Sequence, residues 1–200
     1  MNPWRDRLFR WFAPAARRCP LSPNAITLIA LALNVIAATL LWSRHFLIAI
    51  VFLAVGGLAD AFDGIVARVQ DRASEYGDFL DHFADRVSDV LVVTGWLLGT
   101  HVRIELTIAA IIAVMLNGYI GTQIEATWHE RNYDAVGRGE FVLGLVVFPL
   151  VSSILADNGW EHANAGPLTI AEWMATVLVL FAVLGIGQRF ALAGKLRERI

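Results

Sequence analysis

Six apolar runs, separated by short polar segments, dominate the pattern of hydrophobic and polar positions along the chain. The runs cover residues 25–42, 46–69, 77–99, 104–127, 141–156 and 168–186. Most of them reach the roughly 17–25 residues that an α-helix needs to cross the hydrocarbon core of a bilayer. Ser22 and Asn24 precede the first run, and both are suited to cap a helix. The pattern therefore predicts an all-α integral membrane protein with six transmembrane helices.

A further helical pattern lies before the first run, in residues 2–18. At helical spacing, bulky apolar residues fall on one side and arginines fall toward the other flank. The apolar side comprises Trp4, Leu8, Trp11, Phe12 and Ala15, and the arginines are Arg7, Arg10, Arg17 and Arg18. This distribution is typical of an amphipathic helix on an anionic membrane surface, although Pro14 predicts that the helix is short or kinked. A frayed basic tail that only sets the topology is the alternative.

Composition and charge agree with a membrane protein and orient it. Apolar residues make up 57% of the chain and charged residues 17%, against about 25% charged residues in a typical soluble domain. Most basic residues lie in the terminal segments and in the second and fourth connections between runs, whereas the other connections carry only Arg44 and Arg103. Cytoplasmic segments of membrane proteins carry an excess of Lys and Arg, so both termini are predicted to be cytoplasmic. The single cysteine, Cys19, excludes an internal disulfide.

Four aspartates interrupt the second and third runs: Asp60, Asp63, Asp81 and Asp85. Each charge at the centre of a bilayer costs roughly 2.5–3.5 kcal/mol on insertion scales, so such a set requires cations, water or a binding partner. At about 100° per residue the first two form one helical stripe and the last two form another. A short turn makes the two helices antiparallel neighbours, so the stripes can face each other near the cytoplasm. Oxygen ligands suit Mg²⁺ or Mn²⁺, and two such ions could bridge the cluster.

Small and basic residues between the aspartates fit a ligand that carries phosphate. Gly64 and Ala67 leave space beside the first stripe, and Gly77 allows close approach on the facing helix. Arg68 can bind phosphate oxygens through its planar fork of donors. The alternative is that the aspartates are solvated helix ends or members of structural ion pairs.

Two more polar residues, His82 and Arg86, lie beside the aspartates but off the two stripes. We interpret Arg86 as a structural partner for a buried acid. We interpret His82 as a residue that packs beside the metal ligands or supports them from behind, and not as a ligand itself.

Written as a motif, the stretch from Asp60 to Asp85 reads D-x2-D-G-x2-A-R-x8-G-x3-D-x3-D. It resembles the signature of the CDP-alcohol phosphotransferase (CDP-alcohol phosphatidyltransferase) family at every defining position. The layout of six spans with an N-terminal juxtamembrane helix is also similar to that family. The resemblance implies a juxtamembrane segment at residues 1–20 and a catalytic transmembrane domain at residues 21–200. It also implies the reaction, in which a CDP-linked substrate donates its phosphoryl group to an alcohol and CMP leaves.

The same resemblance implies roles for the residues of the motif. Two divalent ions, Mg²⁺ or Mn²⁺, would be held by Asp60, Asp63, Asp81 and Asp85. Asp85 would also be the catalytic base that takes the proton from the acceptor hydroxyl. The implied CDP-binding set is Asp60, Asp63, Gly64, Ala67, Arg68, Gly77 and Asp78. The implied donor is the lipid CDP-diacylglycerol, used by a homodimer in the cell inner membrane with its active site facing the cytoplasm and with no nucleic-acid partner.

The acceptor alcohol is indicated by fewer residues. The continuation of the motif over residues 85–89 is more similar to the branch of the family that uses inositol phosphate and related polyol phosphates than to the glycerol-phosphate branch. Arg131 and Arg138 are the candidates for binding an acceptor phosphate, although Phe141 stands where a second arginine is expected. A phosphorylated polyol such as inositol phosphate is the predicted acceptor. Glycerol-3-phosphate or another alcohol, or a different CDP-linked donor, remains an alternative.

A membrane prenyltransferase, a transporter and an inactive scaffold are the alternative classes. A prenyltransferase needs a second acidic motif, and the later runs offer only Glu125 and Glu140 near their cytoplasmic ends. Transporters often show internal repeats or broken helices, and the sequence indicates neither. An inactive scaffold is expected to lose a defining position of the motif, and every position is present.

Overall fold

The computed structural model of the protein describes the backbone of residues 3–128 and 138–197, and the side chains of residue 9 and of residues 11–128 and 144–197. Within these residues the chain forms seven α-helices and one short β-hairpin. The helices are α1 (Pro3–Arg18), α2 (Pro23–Trp42), α3 (Phe46–Val69), α4 (Glu75–Gly99), α5 (Ile104–Trp128), α6 (Arg138–Asp157) and α7 (Ile170–Arg197). The hairpin pairs β1 (Asn164–Ala165) with β2 (Leu168–Thr169) in antiparallel register. The prediction of an all-α fold is confirmed, and the hairpin is a local addition that no sequence pattern predicted.

Four of the described helices are long and apolar enough to cross a membrane, namely α2, α3, α5 and α7. The apolar part of α6 within the described side chains, Gly144–Asp157, is shorter. Helix α4 is as long as α5, at 25 residues, but it begins with the acidic half of the motif, which lowers its hydropathy. Helices therefore lie at all six predicted places, and four of them satisfy the length and hydropathy of a membrane span.

The helix ends follow recognisable capping chemistry, with one departure from prediction. Ser22 caps α2, because its hydroxyl accepts a hydrogen bond from the N–H of Ala25 at 3.2 Å, and Pro23 lies in the first turn, where its missing N–H is harmless. Helix α7 is longer than the predicted apolar run at 168–186, because it continues to Arg197. The predicted basic tail is thus largely helical, since basic residues in the last turn interact favourably with the helix dipole.

Helix α2 packs against both α3 and α4. Its contact with α4 depends on two glycines, because a Cβ atom at Gly95 or Gly99 would overlap the backbone of Ala38 or Leu41. Small residues of this kind let membrane helices approach closely where the hydrophobic effect supplies little attraction. The bundle that results has two ends. We call the end where α3 meets α4 the motif end, and the end with the turns at 43–45 and 100–103 the far end.

The N-terminal helix α1 packs on α3 near the motif end. Phe12 meets the ring of Phe62 edge-on, with ring centroids 6.0 Å apart, and Ala16 is completely buried. Gln70 joins the two helices, because its side-chain amide donates to the backbone oxygens of Ala16 and Cys19. Trp11, on the predicted apolar side, is 80% exposed. The helix continues through Pro14, so the proline does not end it.

Candidate active site

The turn between α3 and α4 brings the two halves of the motif together. Helix α3 ends at Val69, and Ser74 caps α4 by accepting a hydrogen bond from the N–H of Gly77 at 3.1 Å. Asp71 adopts a left-handed backbone conformation, with φ of 54°, which Asn and Asp tolerate better than most residues. Because this turn is short and both helices pack against α2, the end of α3 and the start of α4 lie at the same end of the bundle.

Four aspartates of the motif converge at this end of the bundle. Carboxylate oxygens of Asp60, Asp63 and Asp81 lie within 4.8 Å of one another. A second group with the same spacing joins Asp81 to His82 and Asp85. Asp63 and Asp85 are buried, at 6% and 7% exposure. Asp81 belongs to both groups, so the stripes predicted on α3 and α4 do face each other.

The donor set fits a divalent cation. Carboxylates held this close repel one another unless a cation lies between them. Hard divalent cations such as Mg²⁺ and Mn²⁺ prefer oxygen ligands of this kind. A divalent metal therefore explains why the chain keeps these acids in apolar helices, where an isolated charge is costly.

His82 is closer to the carboxylates than we expected from the helical spacing. Its ring offers a nitrogen to the group that contains Asp81 and Asp85. Its Nε2 atom also lies 3.6 Å from a carboxylate oxygen of Asp78, one turn earlier. His82 is therefore an additional candidate ligand, whereas the sequence indicated only a supporting residue.

Thr27 of α2 is a site residue that the sequence analysis missed. Its side chain is 4% exposed, and its hydroxyl donates a hydrogen bond to Oδ2 of Asp63 at 2.5 Å. Hydropathy alone could not identify it, because a threonine inside an apolar run is ordinary. The only available signal was its position one turn into the helix that starts at the motif end.

The side of the site formed by α3 is open beside Gly64. A Cβ atom built there would meet only a guanidinium nitrogen of Arg68, at 3.9 Å. Arg68 is exposed, donates from Nε to the backbone oxygen of Gly64 at 2.8 Å, and lies 5.7 Å from the centre of the Phe9 ring. At Gly77, where close approach was expected, a Cβ atom would lie 3.2 Å from the side-chain oxygens of Asn24 and Ser74.

Two further arginines lie on α4 and α7, and the one on α4 contacts the site. Arg86 lies 3.2 Å from Asp89 and 4.0 Å from the buried Asp85, in agreement with its interpretation as a partner for a buried acid. A Cβ atom at Gly118 of α5 would overlap the Arg86 guanidinium. Arg189 donates to the backbone and side-chain oxygens of Asn117. The sequence placed Arg189 in a basic tail, but it lies inside α7 and is partly buried.

The two predicted acceptor residues cannot be placed beside the carboxylates. Arg131 lies outside the described residues. Arg138 begins helix α6, and its side chain lies outside the described ones. Both therefore stay predictions.

A bundle of apolar helices with a buried carboxylate cluster at one end defines an integral membrane protein with a candidate metal centre. A family model described as "CDP-alcohol phosphatidyltransferase" matches residues 20–185, which is most of the chain. The protein therefore belongs to the CDP-alcohol phosphatidyltransferase family, as its motif predicted. It is a membrane transferase that moves a phosphatidyl group from a CDP-linked donor to an alcohol.

Named relatives and solved structures are similar over most of this chain. An archaetidylinositol phosphate synthase of Pyrococcus horikoshii is 33% identical over 137 residues, which cover 67% of this chain and 72% of that protein. A phosphatidylinositol phosphate synthase of Corynebacterium glutamicum is 27% identical over 183 residues, which cover 88% of this chain and 78% of that protein. The crystal structure of the Mycobacterium tuberculosis phosphatidylinositol phosphate synthase with CDP-DAG bound matches with a TM-score of 0.70 at 21% identity, over 91% of this chain and 92% of that one. A structure of the same enzyme with manganese and citrate gives a TM-score of 0.71.

Proposed function

We propose that the protein transfers the phosphatidyl group of CDP-diacylglycerol to inositol phosphate and releases CMP. The observation that carries this proposal is the complete motif, whose four aspartates converge at one end of the bundle. The names of the relatives support inositol phosphate, because the archaeal relative is an archaetidylinositol phosphate synthase and the bacterial relative is a phosphatidylinositol phosphate synthase. The neighbouring structure with CDP-DAG bound supports the donor.

The four aspartates would hold Mg²⁺ or Mn²⁺, and the sharing of Asp81 between two groups of candidate ligands supports two ions. When bound, such ions offset the charge of the diphosphate and of the transition state. The residues themselves contribute fixed positions, because they lie on two helices that both pack against α2 and not on loops. Positioning and electrostatics carry most of the catalysis in phosphoryl transfer.

Asp85 would be the catalytic base. Its carboxylate is buried, and a guanidinium nitrogen of Arg86 lies 4.0 Å from it. The acceptor oxygen forms a bond to the phosphorus of the phosphatidyl group, and the bond from that phosphorus to the bridging oxygen of CMP breaks. The proton of the acceptor hydroxyl goes to the Asp85 carboxylate.

The CDP moiety would lie along α3 and the start of α4. Gly64 and Ala67 leave room there, and the exposed Arg68 guanidinium is directed by its bond to the Gly64 carbonyl. Arginine binds phosphate oxygens through paired donors. Gly77 and Asp78 would complete the set from α4.

The phosphate of the acceptor would be bound by arginines near the same end. Arg131 and Arg138 stay the predicted residues. Arg189 adds a candidate among the described side chains, because it is partly buried in α7 and already held by Asn117. A preorganised guanidinium of this kind loses less side-chain freedom on binding an anion than a fully mobile one does.

The membrane topology is part of the proposal. The six helices α2–α7 would all cross the bilayer with both termini in the cytoplasm, and residues 1–20 would form the juxtamembrane segment on the surface. The basic residues at the motif end support this orientation, which directs the active site to the cytoplasmic face of the inner membrane. The implied homodimer stays a prediction.

A panel of acceptors tests this function. Purified protein in lipid nanodiscs is supplied with CDP-diacylglycerol, Mn²⁺ or Mg²⁺, and one acceptor among inositol phosphate, glycerol-3-phosphate, serine and free inositol. We expect release of CMP with inositol phosphate and little with the others. Faster release with glycerol-3-phosphate would show that glycerol-3-phosphate, and not inositol phosphate, is the acceptor. Absence of release with every acceptor would contradict the proposed donor or the activity itself.

A further inference from the structure

We propose that Thr27 is a positioning residue for the metal site, because it fixes the carboxylate of Asp63. This inference rests on the proposed function in one respect, namely that Asp63 is a metal ligand. It extends that function to a residue of α2, outside the motif. The contact joins positions that are 36 residues apart in the chain and both buried.

The hydroxyl of Thr27 has two oxygen atoms within reach. It lies 3.1 Å from the backbone oxygen of Pro23, one turn earlier, and 2.5 Å from Oδ2 of Asp63. A hydroxyl has one proton to donate. Hydrogen bonds to an ionised acceptor are shorter and stronger than those to a neutral carbonyl, so the shorter contact, to the carboxylate, is the one that matters for the site.

The place of Thr27 follows from the start of α2. Ser22 caps this helix at the motif end, and Pro23 begins it. Thr27 therefore lies about one turn inside the helix, on the side that packs against α3. There it contacts the Asp63 carboxylate, whose oxygen is within 4.8 Å of ligand atoms from Asp60 and Asp81.

Fixing one oxygen of a ligand restricts the rotation of the whole carboxylate. Partners that orient metal ligands in this way typically contribute about 10–100-fold to metal affinity or activity. Loss of the Thr27 hydroxyl should therefore weaken metal binding while every carboxylate remains. That outcome separates a positioning role from a purely structural one.

The chain offers a matched control on the same helix. Thr39 donates to the backbone oxygen of Val35, one turn earlier, at 2.9 Å. Like Thr27, Thr39 donates to the backbone oxygen of the residue four positions earlier. Unlike Thr27, it is exposed, and no carboxylate contact of its hydroxyl is seen among the described residues. Replacement of Thr39 by valine therefore reproduces the loss of a hydroxyl from α2 without touching the site.

The test is the affinity for Mn²⁺, measured by the electron paramagnetic resonance signal of free Mn²⁺ on purified protein in nanodiscs. Thr27→Val should raise the Kd by about 10–100-fold, whereas Thr27→Ser and Thr39→Val should stay near the wild-type value. Thermal unfolding without metal checks that each variant is folded. Thr27→Ala gives the same comparison where the valine variant is not recovered in folded form.

The outcomes distinguish this inference from the function on which it rests. Wild-type affinity in Thr27→Val, with normal Mn²⁺ binding by the unmodified protein, would overturn the role of Thr27 and leave the metal site intact. An equal loss of affinity in Thr27→Ser would also overturn it, because the hydroxyl is then not what matters. Absence of Mn²⁺ binding by the unmodified protein would overturn the proposed metal site together with this inference.

Discussion

The two ends of the bundle hold their carboxylates in different ways. At the far end, Glu172 accepts hydrogen bonds from Arg103 at 2.7 and 3.2 Å and from the N–H of Thr169 at 2.9 Å. This contact raises the pKa of the Arg103 guanidinium above its ordinary value. A second pair at that end joins Arg44 to Glu161. At the motif end, carboxylates face other carboxylates within 4.8 Å.

This difference separates the acids with a structural role from the candidate metal ligands. A carboxylate that meets an arginine fork and a backbone N–H has its hydrogen-bonding capacity filled by the protein. A cluster of mutually repelling carboxylates on packed helices is stabilised by a ligand, since its own contacts oppose it. Both ends therefore carry buried acids, but among the described residues only those at the motif end have the arrangement of a metal site.

The largest expected effect is at the motif end. Asp85→Asn removes the proposed base but keeps the shape of the side chain, so CMP release should fall by about 10²–10⁴-fold. Binding of the CDP-linked donor should be largely retained, as measured by titration with a labelled analogue. Full activity in this variant would show that the base is another residue.

A smaller effect is expected where α5 meets the site. Gly118→Ala places a methyl group in the position of the Arg86 guanidinium, so Arg86 must move away from Asp85 and Asp89. A displacement of about 1 Å near reacting groups can reduce turnover by about 100-fold, and we expect a loss of up to that size in CMP release. Gly187→Ala is the control, because no atom lies within 4 Å of a Cβ there. Equal activity of the two variants would show that the position of Arg86 beside Asp85 and Asp89 does not matter for turnover.

At the far end the expected effect is on stability and not on turnover. Glu172→Gln removes the charge that Arg103 contacts but keeps an amide that can still cap α7. The Tm should fall by a few degrees in thermal unfolding, while kcat of the folded protein stays unchanged. A loss of kcat without a loss of stability would contradict the division between the two ends.

The smallest effect is expected at Arg44. Its pair with Glu161 is partly exposed on both sides, and such pairs contribute less than about 1 kcal/mol. Arg44→Gln should therefore change neither the activity nor, beyond about 1 kcal/mol, the free energy of unfolding. A larger loss in a denaturant titration would indicate that this pair holds the loops of the far end together.

Much of the helical layout could be predicted from hydropathy. The runs at 25–42, 46–69 and 77–99 correspond closely to α2, α3 and α4, because apolar length decides where a helix can lie in a membrane. The end of α7 could not be predicted in this way, since a helix continues into water where its residues permit it. The start of α7 did carry a local signal. Thr169 and Glu172 bond each other's backbone N–H groups, which is a capping box.

The site was predictable only in part. The spacing of the aspartates on two helices joined by a short turn sufficed to predict that their stripes face each other. The contact between Thr27 and Asp63 could not be predicted, because it depends on how α2 rotates against α3. The same holds for Arg189, whose bond to Asn117 depends on the packing of α7 on α5.

The most direct measurement compares Mn²⁺ binding after one change at each end. We predict that Asp81→Asn, which removes the carboxylate shared by both groups of candidate ligands, abolishes measurable Mn²⁺ binding and CMP release. Glu172→Gln should leave the Mn²⁺ affinity of the folded protein unchanged. Normal Mn²⁺ binding by Asp81→Asn, or its loss in Glu172→Gln, would contradict the assignment of the metal site to the motif end.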